Sequence, residues 1–330
     1  MSQLAIITDH RYLDHDTGGG DHPEIPARLE VIRDRLQTSD CFPTLHFYSP
    51  EDASRERLLA VHDEAWLFRF EEGALSGRTY IDHSDNQIGY DSYDVAVLAA
   101  GAGITAINLL ESGVESQAFC LVRPPGHHAE KKMPFGFCFF NNCVIAARYW
   151  QELYGVKRIV IFDFDAHHGN GIQSAFEREE NSYYISIHEH PSFSYPGTGY
   201  ADEVGLEAGR GSILNLPLLP GGSDADVLQL LETSVTEALE RWKPEALIVA
   251  AGFDAHIQDT MSGLSYSTDL YRQIGLQIRR WSERYCPGRL LSILEGGYEL
   301  ESLADSVEAY VSGLQGKGDD KSLTETRDRR

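Results

Sequence analysis

"RIVIFDFDAHHGNG" (residues 158–171) sets an apolar run directly against a polar end. The first half is continuously apolar and of strand length, as expected of a strand covered on both faces in a parallel sheet. The second half crowds two aspartates, two histidines, an asparagine and two glycines into residues 163–171. Apolar runs of the same kind recur at 4–8, 117–122, 183–188, 212–218, 246–252 and 290–297. Helical patterns lie between many of them. Residues 26–37 begin at Pro26, which suits a first helical turn. The patterns at 92–113 and 141–155 end at glycines, and 224–242 and 267–285 are amphipathic. Strands alternating with helices predict an α/β fold, a single-domain open parallel sheet with helices on both faces. The domain is expected over 1–315. Residues 316–330 lack apolar periodicity and are expected to form a disordered tail.

Several apolar runs end in polar clusters. "RPPGHHAE" follows 117–122, "HEH" follows 183–187, "GFDAH" follows 246–251 and "EGGY" follows 290–294. In an open α/β sheet, ligands bind outside the carboxyl ends of the strands, so these clusters are expected to meet. Asp163, Asp165 and His167 are spaced by two and share one side of an extended chain. Asp165 and His167 suit Zn2+ as carboxylate and imidazole ligands, and Asp254 is the candidate third ligand. Any single cluster is explained as readily by helix capping or ion pairing. Together they would bury several carboxylates, which is costly without a cation.

His127 and His128 are adjacent, and their side chains diverge too much to share one ion easily. They suit general base and acid roles. Asp163 and Asn170 are their candidate partners; a carboxylate raises an imidazole's pKa, whereas an amide is expected to change it little. Tyr298, after a Gly-Gly pair, is placed to donate to a developing oxyanion.

Composition bounds the alternatives. The 330 residues are 42% hydrophobic and 24% charged, as in globular domains. No run of about 18 apolar residues is evident, so no membrane span is expected. The start "MSQLAIITDH" lacks the features of a signal peptide, so a cytoplasmic location is expected. Cys41, Cys120, Cys138, Cys143 and Cys286 form no CxxC pair and are read as reduced cysteines. A net charge of −23 argues against nucleic-acid binding and favours cationic substrates.

The motifs "HPEIPARL" (22–29), "RPPGHHA" (123–129), "GFCFFNN" (136–142), "DFDAHHGNG" (163–171), "YPGTG" (195–199), "AGFDAH" (251–256) and "LEGGY" (294–298) span nearly the whole domain. On them the chain resembles the zinc-dependent deacetylase family of histone deacetylases, acetoin-utilisation proteins and acetylpolyamine amidohydrolases. "HHGNG" and "AGFDA" are more like class II and bacterial members than class I. The resemblance implies the arginase/deacetylase fold, with Zn2+ on Asp165, His167 and Asp254. It implies that His128 is general base and acid, that His127 acts electrostatically, and that Tyr298 polarises the acyl carbonyl. Asp163 and Asn170 would orient the histidines. Gly136, Phe137 and Tyr195 would line a tunnel, with tyrosine where phenylalanine is common in the family. Asp85 would stand at its rim. Met261 occupies the place where some polyamine-selective relatives carry an acidic residue. A structural K+ would be held by oxygens of Asp163, Asp165, His167 and Ser186. The implied substrate is an acylated lysine in a protein or peptide, or else an acetylated polyamine. A homo-oligomer is compatible with the sequence. A non-catalytic binding module would be expected to have lost a ligand or the tyrosine, and all are present. A binuclear manganese hydrolase would need further bridging carboxylates.

Overall fold

A computed structural model describes residues 4–19, 22–39, 42 and 45–317. Cys41 and the tail from 318 onward lie outside the described residues. The strands are β1 (Leu4–Ile7), β2 (His46–Tyr48), β3 (Tyr80–Ile81), β4 (His83–Gln87), β5 (Gln117–Cys120), β6 (Ile159–Asp163), β7 (Ser182–Glu189), β8 (Ile213–Leu218), β9 (Ala246–Ala251) and β10 (Leu290–Leu294). The helices are α1 (Ala27–Thr38), α2 (Arg55–Leu59), α3 (Glu64–Leu75), α4 (Ser92–Glu111), α5 (Asn142–Tyr154), α6 (Asn170–Phe176), α7 (Asp224–Leu230), α8 (Thr236–Trp242), α9 (Thr268–Tyr285) and α10 (Leu300–Leu314).

Eight of these strands make one parallel sheet in the order β2-β1-β5-β10-β9-β6-β7-β8. Every residue of β6 is buried, because β9 and β7 flank it and helices cover both faces. The two faces can be read from neighbouring residues of β10. Ser292 bonds the Tyr310 hydroxyl on α10, and Ile293 lies against Gly103 on α4. The α/β arrangement expected from sequence is therefore the one observed. β3 and β4 form a separate antiparallel hairpin.

Local signals set the helix ends. Asn141 caps α5 by accepting from the Val144 amide at 3.1 Å, and Gly155 closes it with φ 65°. Two expectations need correction. The pattern at 224–242 is not one α-helix: residues Leu231–Val235 make a π turn between α7 and α8. There the Thr236 hydroxyl reaches the Leu231 carbonyl five residues back, at 2.7 Å. α4 is also long and apolar enough, by length and composition, to cross a membrane. In the fold its Val95, Leu98, Ala99, Ala102 and Ala106 are buried in the protein core.

Candidate metal centre and active-site cleft

Strands β5, β10, β9 and β6 are consecutive in the sheet, and the loops at their carboxyl ends converge. Asp163 is the last residue of β6, and Asp165 and His167 follow in the loop before α6. Asp254 follows β9, the two histidines lie between β5 and α5, and Tyr298 lies between β10 and α10.

Asp165, His167 and Asp254 present ligand atoms that all lie within 4.8 Å of one another, and all three residues are buried. His167 Nδ1 is 3.2 Å from Asp165 Oδ1 and 2.9 Å from Asp254 Oδ2. Its Nε2 is 3.1 Å from the Met261 carbonyl, which can only accept. Nε2 therefore carries the proton and Nδ1 is left as a ligand atom. Burial pushes the Asp254 carboxyl up to about 6, reinforced by the Asp165 charge and opposed by His167. Two buried carboxylates facing one ring nitrogen are a donor set that a divalent cation would neutralise. The residues present thus fit Zn2+. Glycines let the strand ends close in: a Cβ at Gly252 would overlap the Asp165 carboxylate, and one at Gly296 would overlap that of Asp254. The Gly296 amide donates to Asp165 Oδ2 at 2.8 Å.

The rings of the histidine pair are tilted at 45° to each other, with centroids 3.9 Å apart. His127 Nδ1 faces Asp163 Oδ2 at 3.1 Å, and the same oxygen accepts from the Tyr184 hydroxyl at 2.8 Å. His128 Nδ1 donates to Asn170 Oδ1 at 2.8 Å. Asn170 in turn donates to Glu130 Oε1 at 2.8 Å. Burial lowers the His127 pKa, but the Asp165 and Asp163 carboxylates outweigh it and raise the imidazole to about 10. His128 moves the other way, well below its ordinary value. Burial is the main cause, and His127 and His167 add to it. The amide partner was expected to leave His128 almost unchanged; desolvation and the neighbouring imidazoles decide its charge instead.

A cleft of about 190 Å³ is lined by Asp85, His128, Gly136, Phe137, His167, Tyr195, Met261 and Tyr298. Phe137 meets the Tyr298 ring edge-on at 5.8 Å, and Tyr195 meets His128 edge-on at 5.0 Å. Gly136 has φ 49°, and a Cβ there would overlap the His128 ring. Only glycine suits that turn. Asp85 enters from β4. Its neighbour Asn86 is buried and accepts from the Phe137 amide at 3.0 Å, fixing the loop that carries the cleft wall. Ser186 lies on β7, in register with Asp163, with its hydroxyl 2.7 Å from His188 Nδ1. A larger hollow of about 410 Å³ lies by the opposite ends of the strands, between Leu110 and Arg289, and gathers no comparable set of groups.

Several buried groups were not singled out from sequence. Glu295 accepts from the Gly126 and His127 amides at 2.7 and 3.0 Å, and burial pushes it up to about 7. Glu24 receives Arg123 in a two-pronged ion pair, with both contacts at 2.8 Å. Burial raises the Glu24 carboxyl, yet Arg123 and Arg28 hold it at about 2. Arg28 also donates to the carbonyls of Gly297 and Glu295, and its guanidinium stands 4.8 Å from the centre of the Tyr298 ring. Glu24, Arg28, Arg123 and Glu295 all lie inside the quoted motifs, but nothing local shows what each one meets.

The histone deacetylase domain matches residues 22–314. The chain is 37% identical over 290 residues to the histone deacetylase-like amidohydrolase of Pseudomonas aeruginosa, covering 88% of this chain and 74% of the relative. It is 36% identical over 312 residues to the chloroplastic histone deacetylase 14 of Arabidopsis thaliana, covering 90% and 73%. A probable deacetylase of Archaeoglobus fulgidus is 35% identical over 299 residues, covering 90% and 82%. The crystal structure of the HDA15 HD domain superposes with a TM-score of 0.90 at 33% identity, covering 96% of this chain and 91% of that one.

Proposed function

The chain belongs to the histone deacetylase family, whose members act as amide hydrolases, and on that premise we propose that it removes acetyl or other short acyl groups from lysine side chains in proteins or peptides. The observation that carries this reading is a shared cleft. His128, His167 and Tyr298 line one opening, and His167 belongs to the buried Asp-His-Asp trio.

Zn2+ bound by Asp165, His167 and Asp254 would supply Lewis acidity to polarise the amide carbonyl and acidify a water. The chain's own groups do the rest. His128 is neutral and lines the cleft, so its Nε2 takes the proton of the attacking water, while Asn170 fixes its ring through Nδ1. His127 stays cationic against Asp163 and stabilises negative charge beside the reacting carbon. The Tyr298 phenol donates to the carbonyl oxygen as it becomes an oxyanion. When the carbon–nitrogen bond breaks, the proton held by His128 passes to the amine, giving a carboxylic acid and an amine. The acid's own proton then moves to the amine to leave a carboxylate and an ammonium group. Phe137 and Tyr195 flank the aliphatic stem of the substrate. A K+ beside the aspartate-rich strand end is part of the same reading, supported by the register of Asp163 with Ser186.

An acetylated polyamine is the second reading. The net charge of −23 and Asp85 in the cleft both favour a cation, while Met261 places no carboxylate in the wall. Turnover of acyl-lysine peptides of graded acyl length, measured beside acetylated putrescine and spermidine, tests the choice. Faster hydrolysis of the peptides is expected. Activity confined to the polyamines would replace the first reading with the second.

A further inference from the structure

Asp259 lies in the loop between metal-site Asp254 and cleft-wall Met261, and it is buried. Its Oδ2 accepts from the main-chain amides of Tyr298 at 2.6 Å and Glu299 at 3.1 Å. Its Oδ1 accepts from the Met261 amide at 3.0 Å. The bond to Met261 closes a local turn, a common use of aspartate. The other oxygen has a different task, because it crosses to a separate loop that the turn does not need. We propose that Asp259 is a positioning residue that sets where the Tyr298 phenol stands over the cleft. This rests on the role given above to Tyr298.

The geometry supports it from both sides of the contact. Tyr298 follows Gly296 and Gly297, and Gly297 adopts φ 121°, a conformation open to glycine and rarely to other residues. A chain entering through two glycines has little stiffness of its own, so the phenol's position depends on what holds the next amides. Asp259 holds the amides of Tyr298 itself and of the following residue. Charged acceptors give the stronger class of hydrogen bond, and the site excludes most water. The same carboxylate orients Met261, whose carbonyl accepts from His167 Nε2. One side chain thus ties the oxyanion donor, one cleft wall and the proton-bearing edge of a metal-site imidazole into a single frame. Both carboxylate oxygens are engaged by amides, which leaves Asp259 directed at the backbone and not at the cleft.

The test is a double-mutant cycle on the zinc-loaded enzyme, using whichever of an acetyl-lysine peptide and acetylputrescine the wild type hydrolyses. Misplacing a catalytic group by about 1 Å can cost about 100-fold in rate. Asp259→Asn and Asp259→Ala are therefore expected to lower kcat by about 10- to 100-fold with a small change in KM. In a Tyr298→Phe background the same changes should cost about 2-fold or less, since the phenol they position is gone. Asp259→Asn is isosteric and keeps one acceptor oxygen, so it serves where the alanine variant folds poorly. Zinc content near one per chain, with a melting midpoint close to wild type, accompanies each measurement. Equal fold losses in both backgrounds, or no loss in the single variant, would overturn the proposal, as would failure of Asp259→Asn to retain zinc. Full activity of Tyr298→Phe alone is a separate result, and it would remove the role of the phenol itself.

Discussion

His127 and His128 are covalent neighbours held in opposite charge states. Burial lowers both rings; at His127 two carboxylates outweigh it, and at His128 two other imidazoles add to it. His128→Ala should therefore lower kcat by about 100- to 10,000-fold, the usual worth of a positioned base. Tyr298→Phe should lower it by about 100- to 1,000-fold, as for loss of an oxyanion donor. Steady-state hydrolysis with circular dichroism as a fold control checks both. Away from the cleft, Glu24 makes a stability prediction. Its folded carboxyl sits at about 2, below the ordinary 4.5, so its contribution is complete above pH 4.5 and disappears as pH falls through about 2. Glu24→Gln leaves Arg123 buried without its partner and should cost about 3–5 kcal/mol at neutral pH. Urea midpoints of wild type and variant should converge between pH 4.5 and 2; a constant gap would show that the ion pair is not the source. His128, His167 and Tyr298 could be picked out in sequence because their clusters end apolar strands, whereas Asp85, Gly136, Phe137, Tyr195 and Met261 follow only from the family resemblance. Glu24, Asp259 and Glu295 could not, because their partners lie in other loops: Arg123 for Glu24, the Tyr298 amide for Asp259 and the His127 amide for Glu295.

The central strands are readable as continuous apolar runs because helices cover both of their faces. β2 escapes that reading: its three residues lie at the sheet edge and are largely exposed. α10 escapes for a different reason. Its cap is Glu299, whose carboxylate accepts from the Ser302 amide at 2.7 Å, so the usual Ser, Thr, Asp or Asn signal is missing. Its buried face also carries Ser302, Ala304, Ser306 and Gly313, which dilute the apolar period. Those small residues matter for packing. A Cβ at Gly313 would overlap the Arg272 carbonyl on α9, and one at Gly275 would overlap the Tyr310 carbonyl on α10. Gly313→Ala should separate the two helices and destabilise the fold by about 1–3 kcal/mol, the range for overpacking. Chemical denaturation measures this, and a neutral or stabilising result would show that the crossing can relax.

At the scale of the whole molecule, the Asp-His-Asp trio joins loops from β6 and β9, so an ion held there would join parts of the sheet as well as serve chemistry. A ligand that binds only the folded state at 100 times its dissociation constant adds about 2.7 kcal/mol. Exhaustive chelation should therefore abolish hydrolysis and lower the melting midpoint, and added Zn2+ should restore both. Retention of full activity after chelation would refute the metal site. The sheet order has a consequence for how the protein is made. β10 is the last strand of the sheet to leave the ribosome, yet its place is between β5 and β9. Until residue 290 emerges, the nascent chain can build only two unjoined ribbons, β2-β1-β5 and β9-β6-β7-β8. Each has a raw hydrogen-bonding edge where the centre will be. The keystone arrives late, and an incomplete chain is a sticky one.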